Sequence, residues 1–194
     1  MKLNQQIKTT MSLAAAMGIL ALAATSANAA VISVSGYVIA TGAGVIVPGG
    51  GGWADSGNEL NDNVTDPSNG GDTVGWDYNG GDRPLVTFDL GAVFDLSTIQ
   101  VYSRTSNGTI TSIDISTSLD DSTYSGVTGY AYTAPSGTIN VSGEINARYV
   151  RFTPISSDWA MISEVDFNGT AVPEPSTTAL LGLGGLALIL RRRK

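Results

Sequence analysis

The chain contains neither cysteine nor histidine. Without cysteine, no disulfide can brace the fold and no thiolate can act as nucleophile or metal ligand. Without histidine, the Ser-His-Asp triad, the usual imidazole base and most zinc sites are excluded together. Any catalysis would have to rest on carboxylates. Positive charge is scarce away from the chain ends: Lys2, Lys8, Arg191, Arg192, Arg193 and Lys194 stand in the terminal segments, leaving only Arg83, Arg104, Arg148 and Arg151 in between. Sixteen of the 17 acids, all but Glu174, lie with those four arginines in residues 30–170, which therefore carry a net charge of 4 − 16 = −12. Nucleic acid and anionic lipid both need cationic surface, so neither is expected as a partner. Calcium or a neutral polysaccharide suits such a surface better.

The two ends read as addresses. At the N-terminus, Lys2 and Lys8 precede an apolar stretch from Leu13 to Ala24 and then Ala27-Asn28-Ala29. That is the layout of a secretory signal peptide over residues 1–29, cut after Ala29, and it implies the Sec export machinery as a partner. At the C-terminus, Val172-Pro173-Glu174-Pro175 leads into an apolar run from Ala179 to Leu190 and then four cations. The run is shorter than the roughly 20 residues that span a bilayer. Gly182, Gly184 and Gly185 weaken it further as a helix, and the basic cluster favours the cytoplasmic side. A short transmembrane helix with transient residence in the inner membrane is expected.

This arrangement over residues 171–194 resembles the PEP-CTERM sorting signal of Gram-negative bacteria, with Pro173, Glu174 and Pro175 as the motif. The resemblance implies recognition and removal of the tail by an exosortase. It also implies a mature protein at the cell surface, in the outer envelope or in the extracellular matrix.

Residues 30–170 are the length of one ordinary domain with a single core. Short alternating segments fill it: Val86, Phe88 and Leu90 interleave with Thr87 and Asp89, Ile113 and Ile115 with Ser112, Asp114 and Ser116, and Val150 and Phe152 with Tyr149 and Arg151. Such alternation marks strands with one buried face. Further strands are expected at Val31 to Ile39, Ile99 to Ser103, Tyr130 to Thr133, Thr138 to Val141 and Ser163 to Asn168. Many strands joined by Gly, Asn, Asp and Ser turns, with no helical period, predict an all-β antiparallel sandwich of the jelly-roll kind. The run Gly49 to Gly52 reads as a loop, since it has neither the lysine nor the strand-to-helix setting of a phosphate cradle.

The order of motifs in this domain resembles the discoidin family, the coagulation factor 5/8 C-terminal type within the galactose-binding-like superfamily. Glu59-Leu60-Asn61-Asp62-Asn63-Val64-Thr65 is similar to the family's early "L-x-D-G" loop, with Trp76 as its downstream tryptophan. Val86-Thr87-Phe88-Asp89-Leu90-Gly91 is similar to the "itfDLG" strand, and Ile99 to Ser103 to the strand after it. Ser116 to Tyr124 resembles the "S-x-D-G" hairpin, and Arg148 to Phe152 and Ile162 to Phe167 the two closing strands. Asn63 and Asp121 stand where the family usually has glycine, and both residue types can enter the left-handed region that a turn needs.

The resemblance implies a structural calcium tying the early loop to the last strand. Asp62 and Glu164 are its candidate ligands, with Asp66 and Asp72 as helpers. It also implies a non-catalytic carbohydrate-binding domain whose ligand is the producer's own exopolysaccharide or another glycan. A sugar site wants an aromatic platform beside polar hydrogen-bonding groups; Trp53, Trp76, Tyr78, Arg83, Arg104 and Trp159 supply them in or beside predicted loops. Trp76 and Trp159 could equally pack against the core edge. Arg148 and Arg151 are expected to pair with acids on the sheet face. The alternative functions are a structural surface protein without a ligand and a protein-adhesion module.

Overall fold

The computed structural model describes residues 29–41, 48–49, 53–65, 73–78, 83–104, 110–133 and 135–173. Among them are eight strands and no helix: β1 (Ala30–Ile32), β2 (Gly36–Ile39), β3 (Val74–Asp77), β4 (Val86–Ser103), β5 (Ile110–Ser118), β6 (Thr128–Ala131), β7 (Ser136–Ser156) and β8 (Trp159–Ala171). All their pairings are antiparallel. The sequence expectation of an all-β antiparallel sandwich is met.

Two long strands serve both layers. The start of β4, Val86 to Asp89, lies between β2 and the second half of β7, and β5 and β6 extend that sheet. Register shifts after Asp89 and after Leu96 turn β4, so that Thr98 to Tyr102 run between the first half of β7 and β8. β1 and β3 pair with β8 beyond them. Bulges let one continuous strand bend from one sheet into the other. The layers meet through Phe88, fully buried on β4, whose ring lies 5.1 Å from Phe167 of β8 and 6.2 Å from Phe152 of β7.

The alternation read in the sequence is present: Val86, Phe88 and Leu90 are buried while Thr87 and Asp89 between them are half exposed. It fails in β8, where Ala160 to Val165 are buried without a break. The loop holding Leu60 covers the outer face there, and the Val165 amide donates to the Leu60 carbonyl at 3.0 Å. The expected strand from Val31 to Ile39 is in fact two, because β1 pairs with β8 and β2 with β4, so the chain changes layers between them. β3 was not expected at all. β8 passes the expected boundary at Thr170, and the Val172 amide closes on the Val93 carbonyl at 2.9 Å. Ala29 and Pro173 are exposed ends of the described chain, whereas Ala27, Glu174 and Pro175 lie outside the described residues.

Candidate functional site

The first half of β8 pairs with β3 in the register Gly75↔Met161, Trp76↔Ala160 and Asp77↔Trp159. Gly75 is the pivot of what gathers there. Its amide donates to the Trp53 carbonyl at 3.0 Å, and its carbonyl accepts the Gly49 amide at 2.8 Å, so two loop segments are laid along β3. A Cβ on Gly75 would stand 3.2 Å from Trp53 Cβ, 3.5 Å from Trp159 Cε3 and 3.6 Å from Met161 Cγ. One on Gly49 would stand 3.1 Å from the Trp159 ring. Only glycine lets both indoles settle this close to the strand.

Arg104 lies beneath Trp53. Its guanidinium carbon is 5.0 Å from the centroid of the Trp53 ring, a cation–π arrangement. Its amide donates to the Met161 carbonyl at 3.2 Å, and Nη1 donates to Met161 Sδ at 3.3 Å. The side chain is 4% exposed, and Nε has no partner among the described residues. Buried donors of this kind are rare unless something external completes them. Half-buried indoles, one of them backed by a fixed guanidinium, can offer a sugar's CH face a surface.

Of the six residues expected at a sugar site, Trp53, Arg104 and Trp159 are thus brought together. Trp76 is a correction: it is fully buried, because it belongs to the unexpected strand β3 and not to a loop, so its ring cannot serve as an exposed platform. Tyr78 adjoins the cluster only through its main chain, its amide donating to the Asp158 carbonyl at 2.9 Å, and Arg83 makes no contact with it among the described residues. The Tyr78 hydroxyl is held by the Pro154 carbonyl, and burial pushes the phenol up to about 12. Arg83 is exposed and lines a different cavity. Sequence reasoning missed Gly49, Gly75 and Met161, which build the floor. A glycine carries no polar or aromatic signal that could have drawn attention to it.

The early loop is tied to β8 by Glu164, which is 1% exposed. Its Oε2 accepts the amides of Asp62 at 3.0 Å and Asn63 at 2.9 Å. Oε1 has no partner among the described residues. Burial first, then the charges of Asp166 and Asp62, push this carboxyl up to about 7, against the pull of the two amides. A buried orphan oxygen facing a second carboxylate is the setting a hard cation relieves, and oxygens alone satisfy calcium. Among the described residues no three carboxylates come together, so main-chain carbonyls and water would complete the shell. The helpers Asp66 and Asp72 lie outside the described residues.

Asn63 and Asp121 hold φ of 64° and 59°, the left-handed conformation expected of the two glycine replacements. Arg148 meets Asp89 through Nε and Nη2 at 3.0 and 3.1 Å, as expected of a sheet-face pair. Arg151 departs from that expectation: among the described residues it pairs with no acid and stacks instead on Tyr124.

Residues 49–165 match the model of the F5/8 type C domain. The chain belongs to the F5/8 type C family. The matched span of this F5/8 type C chain holds both the tryptophan cluster and Glu164, and residues 171–194 match the PEP-CTERM protein-sorting motif. No curated protein sequence matches the chain. Among solved structures, it resembles the family 32 carbohydrate-binding module of NanJ from C. perfringens, determined with galactose, at 19% identity and a TM-score of 0.51 over 73% of this chain and 99% of that one. The C-terminal domain of a chitobiase from Bacteroides fragilis is similar at 19% identity and 0.54, over 74% and 100%. The lectin-binding domain of lectinolysin, determined with Lewis b, follows at 13% and 0.56, over 75% and 99%. At these identities the likeness establishes the fold.

Proposed function

We propose that the protein is an exported, non-catalytic carbohydrate-binding protein of the cell surface or matrix, sorted through its tail by an exosortase and engaging exopolysaccharide on the Trp53–Trp159 rim. The observation that carries this reading is the pair of half-buried indoles laid over Gly75, with Arg104 fixed beneath Trp53. Aromatic faces pack against the CH face of a pyranose, and the enclosed guanidinium holds the Trp53 ring in place for it. The sorting-motif match and the fold of the solved neighbours support location and ligand class.

The acids support a binding role over a catalytic one. Among the described residues, Asp55 and Glu59 are a carboxyl pair joined by a hydrogen bond. Burial alone would raise Glu59, yet hydrogen bonds from Asp55, Ser56 and the neighbouring amides together hold it at about 2. Its oxygens already receive the amides of Ser56, Gly57 and Asn58, and Asp55 takes the Tyr37 hydroxyl. A pair so engaged pins a loop and leaves no acid free to protonate a leaving group.

Calcium is proposed as a structural ion held by Glu164 through Oε1 and by Asp62. When bound, it would supply charge neutralisation between the early loop and β8. The test is a glycan-array and exopolysaccharide pull-down with the purified protein, run with calcium and again with chelator. Binding should disappear in Trp53→Ala and Trp159→Ala, both of which should remain folded. Silence from the folded, calcium-loaded protein would replace this reading with a structural surface protein.

A further inference from the structure

The four arginines of the domain divide into two committed and two convergent. Arg104 is enclosed beneath Trp53, and Arg148 is engaged by Asp89. Arg83 and Arg151 both line one cavity of about 330 Å³, together with Asp114, Ser116 and Thr153. It lies on the outer face of the sheet built from β2, the start of β4, the end of β7, β5 and β6. Register places Arg151 in mid-sheet, opposite Thr87 on one side and Ser116 on the other. A larger cavity of about 570 Å³ joins it at Arg151 and continues past Tyr149 and Tyr37. The two form a trough.

Arg151 is held ready. Its guanidinium carbon lies 3.5 Å from the centroid of the Tyr124 ring, and the Tyr124 hydroxyl is itself held by Asp121. Its Nε is buried with no partner among the described residues. The Asp114 carboxylate leans toward β6, where a Cβ on Gly129 would stand 3.0 Å from Oδ1. In the smaller cavity two guanidinium groups stand with one carboxylate; the larger adds Asp89, which is engaged by Arg148, and Asp121, which is engaged by the Tyr124 hydroxyl.

We infer that this trough is a second saccharide site, separate from the tryptophan rim, and that it takes an acidic polysaccharide built of uronate sugars. The uronate carboxylate lies between Arg83 and Arg151, where a guanidinium fork matches two oxygens. Ring hydroxyls donate to Asp114 and exchange hydrogen bonds with Ser116 and Thr153. An acidic peptide suits the trough less well, since it has no ring hydroxyls to share among Asp114, Ser116 and Thr153 around the bound carboxylate. The joined cavities, about 330 and 570 Å³, suit a chain of sugars over a single ring.

The experiment is affinity electrophoresis of the purified protein through gels containing polygalacturonate, or the same polymer with its carboxyl groups reduced to alcohols. Polygalacturonate should retard the protein strongly and the reduced polymer much less. Arg83→Gln, at an exposed position that the fold does not need, and Arg151→Lys, which keeps the charge and loses the fork, should each weaken retardation by about tenfold. Melting curves check that both variants are folded, and Arg83→Gln decides alone if Arg151→Lys is not. No retardation by polygalacturonate, equal retardation by both polymers, indifference to the arginine variants, or equal competition by polyglutamate would each overturn the inference.

Discussion

Glu164 shows what one residue can do to a loop. Two main-chain amides hold one of its oxygens while the other is buried without a partner among the described residues. Its carboxyl sits at about 7 in the folded protein, above the roughly 4.3 of an unfolded chain. Between those values the folded state keeps a proton that the unfolded state releases. This contribution is fully present below the unfolded value and is lost as pH rises through the folded one. With calcium chelated, the melting temperature should therefore fall between pH 5 and pH 8. Calcium, which binds the ionised form, should restore it at the upper end. Glu164→Gln keeps an acceptor for the two amides and should flatten both responses; a slope that survives in this variant would show that Glu164 is not its source. The left-handed turns are a second case at this scale. Asn63→Gly should be tolerated, whereas Asn63→Val should cost about 1–2 kcal/mol in a denaturant titration.

Among the elements, β3 decides the candidate site and β4 the sandwich. A methyl on Gly75 would press on Trp53 Cβ at 3.2 Å, so Gly75→Ala should push the indole off Arg104. The expected result is a loss of roughly tenfold in glycan affinity, with a shift in tryptophan fluorescence and about 1 kcal/mol of stability. Unchanged affinity would remove Trp53 from the site. Phe88, shared between the layers, should cost about 3–5 kcal/mol on truncation to alanine. Alternation made the ends of β4 and β7 legible in the sequence, because polar and apolar residues there face opposite sides. It could not show that Val86 to Leu90 and Ile99 to Ser103 are one strand, since the linking bulges follow from pairing with two different neighbours. β3 was hidden for a related reason. Its four residues are buried on three positions by β8 and the covering loop, so no alternation exists to be read, and Trp76 was assigned to a loop. Trp53, Arg104 and Trp159 were legible as residue types, while their meeting depends on two glycines that carry no chemical signal.

On the scale of the whole molecule, β8 fixes which way the site faces. Trp159 opens the strand and Ala171 closes it. Thirteen residues at about 3.3 Å each separate them by roughly 40 Å. The other chain end leaves from the same pole as Ala171, because Ala30 pairs with Gly169. The tryptophan rim is thus at the pole opposite both termini. A domain held by its C-terminal tail, or by whatever an exosortase joins it to, presents that rim away from its attachment. The domain's net charge of −12 also repels an anionic surface close by. Glycan affinity should therefore be the same within about twofold for the tail-bearing protein reconstituted in anionic vesicles and for protein ending after Pro173. Biolayer interferometry against the glycan identified by the array would measure both. A large loss in the vesicle-bound form would mean that the rim faces the membrane, and that the opposite-pole geometry does not govern how the protein is displayed.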